Sequence, residues 1–152
     1  MARPSATFEE TSMNRLLLAL GVALITTFAM AQERIAPAAG AEVYIIAPLD
    51  GAKVHGPVTV RFGLKGMGIA PAGVKFDNTG HHHLLVDTEL GELKLGAPMP
   101  ATDKILHYGK GQTETTLTLP PGKHTLELIF ADYLHNSFDP PLHSRKISIT
   151  VE

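Results

Sequence analysis

Between residues 58 and 64 the chain reads VTVRFGL, so Val58, Val60, Phe62 and Leu64 alternate with Thr59, Arg61 and Gly63. Apolar residues at every second position place one face in a core and the other in water, the signature of a half-buried β-strand. Further short runs rich in β-branched and aromatic residues cover 43–47, 74–76, 81–87, 105–108, 113–119, 124–132 and 145–151. They are separated by turn formers such as Pro48-Leu49-Asp50-Gly51 and Pro120-Pro121-Gly122. No stretch carries the period of an amphipathic helix. Leu126, Leu128 and Phe130 share one strand face, and Ile147, Ile149 and Val151 share another. Two such faces must meet, which predicts an all-β, immunoglobulin-like antiparallel sandwich of seven to eight strands. Periodicity reports strands and not their pairing, so immunoglobulin-like and cupredoxin-like strand orders both remain open.

Ahead of the strands, the apolar run 16–30, LLLALGVALITTFAM, follows Arg15 and ends in Ala29-Met30-Ala31. A positive start, an apolar middle and an A-x-A end form a signal-peptide layout, and the run is shorter than the roughly 20 residues a spanning helix needs. Cleavage is expected after Ala31. Glu9 and Glu10 suit such a leader poorly, which points to Met13 as the true start. Residues 32–41, rich in Ala, Pro and Gly, read as a flexible lead into a single domain over 42–152. The chain has no cysteine, so it lacks both a lipid-anchoring thiol and disulfides. The expectation is a periplasmic or secreted bacterial protein, soluble and free of the membrane once cleaved. A net charge of −2 gives no electrostatic footing for nucleic acid or anionic membranes.

All eight histidines fall behind the leader: His55, His81, His82, His83, His107, His124, His135 and His143. That is roughly three times the share of an ordinary globular composition. Imidazole is the commonest protein ligand for zinc and copper, and an exported protein without thiolates would hold such ions through His and carboxylate groups. On a strand, His81 and His83 project together while His82 points the other way with Leu84 and Val86. His82 reads as the start of the buried face, and Asp87, although in phase with His81 and His83, lies about 13 Å from His83 at strand rise. A second candidate set, Asp132, His135, Asp139 and His143, occupies a stretch read as a loop stiffened by Pro140-Pro141. His107 and His124 fall at strand ends. The candidate metal ligands are thus His81, His83, His107, His124, His135 and His143, for copper or zinc, with Met67 and Met99 as further candidates for copper(I). Scattered, solvated histidines are the plain alternative, since no H-E-x-x-H or similar zinc signature is present.

Catalytic signals are weak. Ser137, Ser144 and Ser148 sit in no G-x-S-x-G elbow, and Gly109-Lys110-Gly111 lacks the remainder of a phosphate-binding loop and reads as a turn. Asp77, Asp87 and Glu89 would act together only if the fold joined them. The expected function is a small exported binding module and not an enzyme, with a metal ion or an envelope protein as partner. A structural or protein-interaction domain of the cell envelope, with incidental histidines, is the alternative.

Three stretches carry a resemblance: GVKFDNTGHHHLLVD over 73–87, LHYGKGQTETTLTLPPGKHTLEL over 106–128 and DPPLHSRKISITV over 139–151. The His triplet, the GKGQTE turn and the PPGKHTL turn, in that order, resemble the bacterial family called domain of unknown function 4399. The resemblance implies an exported bacterial domain and assigns no binding residue.

Overall fold

The alternation in VTVRFGL becomes strand β3 (Val58–Lys65), with Val58, Val60 and Phe62 buried and Thr59 and Arg61 exposed. β3 pairs antiparallel on one side with β1 (Glu42–Ala47) and on the other with β7 (Glu114–Leu117), completing a three-stranded sheet. The computed structural model describes residues 34–152; the leader and its cleavage site lie outside the described residues. The second sheet runs β2 (Lys53–Val54), β10 (Ile147–Val151), β8 (Gly122–Ala131), β5 (Thr79–Val86) and β4 (Gly68–Ile69). β6 (Ile105–Tyr108) adds to β5, and β9 (Ser137–His143) adds to β8.

Thus β1, β3 and β7 take the places of strands A, B and E of an immunoglobulin-like sandwich, and β5, β8 and β10 those of C, F and G. The strand pairing answers the question that periodicity left open. The inner faces meet as expected: Leu84, Leu126, Leu128, Phe130 and Ile149 from the second sheet bury against Val60, Phe62 and Leu117 from the first. Each such side chain contributes on the order of 1.5–3 kcal/mol when fully buried.

Two elements differ from the sequence expectation. Residues 74–76 form no strand: Val74 and Phe76 are exposed, and the Val74 N–H closes a turn onto the Pro71 carbonyl. The stretch read as a loop over 132–143 contains β9, despite two prolines. Proline lacks the N–H a ladder needs, but an outer strand leaves one side of its backbone unpaired. The lead is tied down over its described end, where Arg34 lies 3.0 Å from the Asp139 carboxylate and the Asp139 N–H donates to the Ile35 carbonyl at 2.9 Å.

β5 is buried on both faces from Gly80 to Val86. Its inner face joins the inter-sheet core. On the outer face a smaller cluster of Leu85, Met99, Ile129 and Ala131 is covered by Leu90 and Leu93 from the connection between β5 and β6. That cover creates a dry region on the outside of the second sheet. Among the described residues no helix is long and apolar enough to cross a membrane.

Candidate metal centre

Register places the histidines. His83 of β5 stands opposite His107 of β6, so the two imidazoles share the outer face with ring centroids 4.9 Å apart. His81, two residues earlier on the same face, lies 5.0 Å from both. The opposite neighbour of His81 is Ala131 at the end of β8, and the turn leaving that end delivers His135. The His135 ring sits 5.0 Å from His81 and 4.8 Å from His107, and 6.1 Å from His83.

The His135 turn is firmly built. One carboxylate oxygen of Asp132 accepts the N–H groups of Leu134 at 2.8 Å and Asn136 at 2.9 Å. His135 itself adopts the left-handed region, φ 68°, and its carbonyl accepts the Met99 N–H at 2.9 Å. Such a conformation is uncommon for a residue with a Cβ and persists where surrounding contacts fix it. The covering segment therefore pins the backbone of one cluster histidine.

Four imidazoles are brought together. Ring nitrogens of His81, His107 and His135 all lie within 4.8 Å of one another. The Nε2 atoms of His81 and His83 are 3.2 Å apart, against the ~3.3–3.4 Å that separates two nitrogens on one tetrahedral zinc at 2.0–2.1 Å bond length. His81 and His83 are fully buried, while His107 and His135 are half-buried. Burial, reinforced by the neighbouring histidines, pushes His81 down to about 4 and His83 down to about 3. Burial and then His135 lower His107 as well. These rings are neutral at pH 7, the form that ligates metals. Moreover Nε2 of His107 is buried without a hydrogen-bond partner, as are the Nδ1 atoms of His81 and His83 on the far side of their rings from the facing Nε2 pair. Buried polar atoms are rarely left so, and a metal or ordered water is the usual explanation.

His82 points into the inter-sheet core, with its ring 5.2 Å from Phe62 and 5.0 Å from Phe130. Burial lowers it to about 4, partly offset by the Gln112 backbone, and neither nitrogen has a partner in good hydrogen-bond geometry.

Two of the six candidate ligands are not part of the cluster. His124 directs Nδ1 at Asp87 (2.7 Å) and Nε2 at the Pro120 carbonyl (2.8 Å), leaving no lone pair for a metal. His143 directs Nδ1 at the buried Glu127 at 2.8 Å. The carboxylates of the 132–143 stretch are committed too, Asp132 to its turn and Asp139 to Arg34. Met99 buries its side chain in the outer cluster and Met67 packs against the main core. One contributor escaped the sequence reading. A Cβ on Gly109 would collide with the His107 ring, so this glycine, read as a plain turn residue, gives the imidazole its room. Its only sequence signal was its place two residues after His107.

Comparison with known proteins returns few relatives. Among curated proteins none matches the chain. Of solved structures, an endo-β-1,4-mannanase from Thermotoga petrophila is 18% identical with TM-score 0.43, the match covering 74% of this chain and 20% of that one. Fibronectin(III)-like modules of Clostridium thermocellum CbhA are 15% identical with TM-score 0.33, over 72% of this chain and 92% of theirs. The chain thus spans about a fifth of the mannanase. The profile of a domain of unknown function, DUF4399, matches residues 60–152, which include most of β3, all the cluster histidines and the last strand, and the chain belongs to that family.

Proposed function

We propose that this chain is an exported, periplasmic or secreted binding module that holds one transition-metal ion, copper or zinc, through His81, His83, His107 and His135. One observation carries the reading: three ring nitrogens from three separate elements converge within 4.8 Å, and Nε2 of His107 is buried without a partner. Histidines that were merely solvated would lie apart on the surface, as His55 does. Neutral imidazoles at His81, His83 and His107, held on paired strands, suit capture of the ion. Export, expected from the leader, would place the site where no thiol of its own competes for the ion.

A second reading, an envelope interaction domain, draws on a different surface. The exposed Phe76 lines a cleft of about 250 Å³ with Ile35, Lys75 and Tyr133.

Titration calorimetry of the tag-free protein with zinc(II) and copper(II), paired with elemental analysis, tests the metal reading. One equivalent is expected to bind, with binding lost in the double variant His81→Ala/His107→Ala. Binding no tighter than to an unstructured histidine-rich peptide, or unchanged in a folded double variant, would sink it.

A further inference from the structure

Resting on the metal reading above, we infer that the centre selects a singly charged ion, copper(I), over zinc(II). The argument is one of charge. Every side chain in the cluster is an imidazole, and the group of potential ligands contains no Asp or Glu. The acids on the same elements are held elsewhere: Asp132 accepts two backbone N–H groups, Glu127 faces His143, and Asp87 faces His124. Beside the cluster on the sheet face stand Leu85, Ile129, Ala131 and Met99, all apolar. The registers set Ala131 opposite His81 and Ile129 opposite His83.

Neutral ligands leave the full charge of the ion uncompensated. The cost of moving an ion out of water rises with the square of its charge, so in the same cavity a divalent ion costs four times what a monovalent one does. Zinc sites ordinarily offset that cost with thiolate, carboxylate or a bound hydroxide. The imidazoles supply no negative ligand, so only a bound hydroxide could offset the second charge of zinc. Copper(I) is a filled-shell ion that accepts imidazole and brings only one positive charge. The half-buried His107 and His135 give it a way in from solvent, while His81 and His83 close the floor.

The experiment measures two affinities on the tag-free protein: copper(I) against a chromogenic copper(I) chelator under anaerobic, reducing conditions, and zinc(II) against a fluorescent zinc chelator. Copper(I) is expected to bind at one equivalent at least ~100-fold more tightly than zinc(II). The same pair of titrations on Ala72→Asp tests the cause. Ala72 is a half-buried loop residue whose Cβ lies 3.0 Å from the space beside Gly109 that the His107 ring also borders. A carboxylate there adds negative charge without removing a ligand, and should narrow the copper(I)-to-zinc(II) ratio by about tenfold or more. Circular dichroism checks that the variant folds; if it does not, His107→Asp on the edge strand β6 exchanges one imidazole ligand for a carboxylate, and the copper(I)-to-zinc(II) ratio should narrow there too. Zinc(II) binding as tightly as copper(I), or a ratio indifferent to the added carboxylate, overturns the selectivity and leaves the metal site standing. Failure of both ions to bind at one equivalent overturns the site itself.

Discussion

His124 and His81 show how one residue type takes opposite roles at the two ends of the β5–β8 ladder. The Asp87 carboxylate raises His124, against the pull of burial, and the pair is a donor–acceptor bridge between strand ends. For Asp87 burial works against its charge, but the His124 and Thr125 hydrogen bonds outweigh it and hold the carboxyl below its usual range. The signs follow. A raised histidine stabilises fully below its unfolded value near 6.5 and loses that as pH rises through its folded value. A depressed carboxylate stabilises above its unfolded value near 3.8 and loses that as pH falls. The pair therefore contributes most from about pH 4 to 6.5. Asp87→Asn keeps the Thr125 hydrogen bond and tolerates the left-handed backbone at this position, φ 51°, so it removes charge alone. It should cost about 1 kcal/mol at pH 5.5, since Asp87 is partly exposed, and clearly less at pH 8.5. Urea denaturation at the two pH values checks this, and an equal loss at both would refute the charge account. Gly109→Ala acts on the cluster instead. Displacing the His107 ring should weaken zinc or copper binding by about tenfold while shifting stability by no more than about 1 kcal/mol, read by calorimetry and denaturation on the same sample.

At the scale of elements, β5 positions the centre, and Gly80 permits β5 to pair. A Cβ at Gly80 would strike the Ala131 carbonyl and come within 2.8 Å of the Phe130 ring. Gly80→Ala must therefore open the β5–β8 ladder at the point where the His135 turn begins. A loss of about 2–4 kcal/mol is expected, together with metal affinity, in contrast to the near-neutral Gly109→Ala. Elements with one wet face were legible in the sequence: β3 and β10 alternate, and apart from Gly63, buried although on the wet face, and the half-buried Leu64, their burial follows the pattern. β9 was not legible, because Pro140 and Pro141 mark a loop everywhere except on an outer strand. The double burial of β5 was hidden for another reason. Its cover, the connection holding Leu90, Leu93 and Met99, has no period of its own. The strand alternation correctly separated His82 from His81 and His83. The recruitment of His107 and His135, and the loss of His124 and His143 to carboxylates, depend on register and turn geometry, which composition does not encode.

For the molecule as a whole, the price of presenting neutral imidazoles is sensitivity to acid. His81, His82 and His83 are all fully buried, with values pushed to about 4, 4 and 3 against an ordinary 6.5. Between pH 6.5 and 4 the unfolded chain takes up a proton at each of these positions and the folded one does not. Stability therefore rises with pH across that window and falls as acid is added, by about 1.4 kcal/mol per pH unit for each independent group. Mutual repulsion couples His81 and His83, so their titrations merge; His82, on the opposite face in the inter-sheet core, repels both as the smallest contribution to their lowering, and its removal changes them least. Leucine is close to imidazole in volume and leaves no unpartnered nitrogen between Phe62 and Phe130. His82→Leu should thus be neutral or stabilising at pH 7.5, because an unsatisfied buried polar group is replaced by apolar packing. At pH 5 its advantage should be larger, by about 1–2 kcal/mol, since one proton-linked contribution to acid unfolding is gone. Metal-free protein in chemical denaturation from pH 4.5 to 7.5 reads the slope directly. A slope that is the same in both proteins would mean that His82 is protonated, or partnered, in the fold.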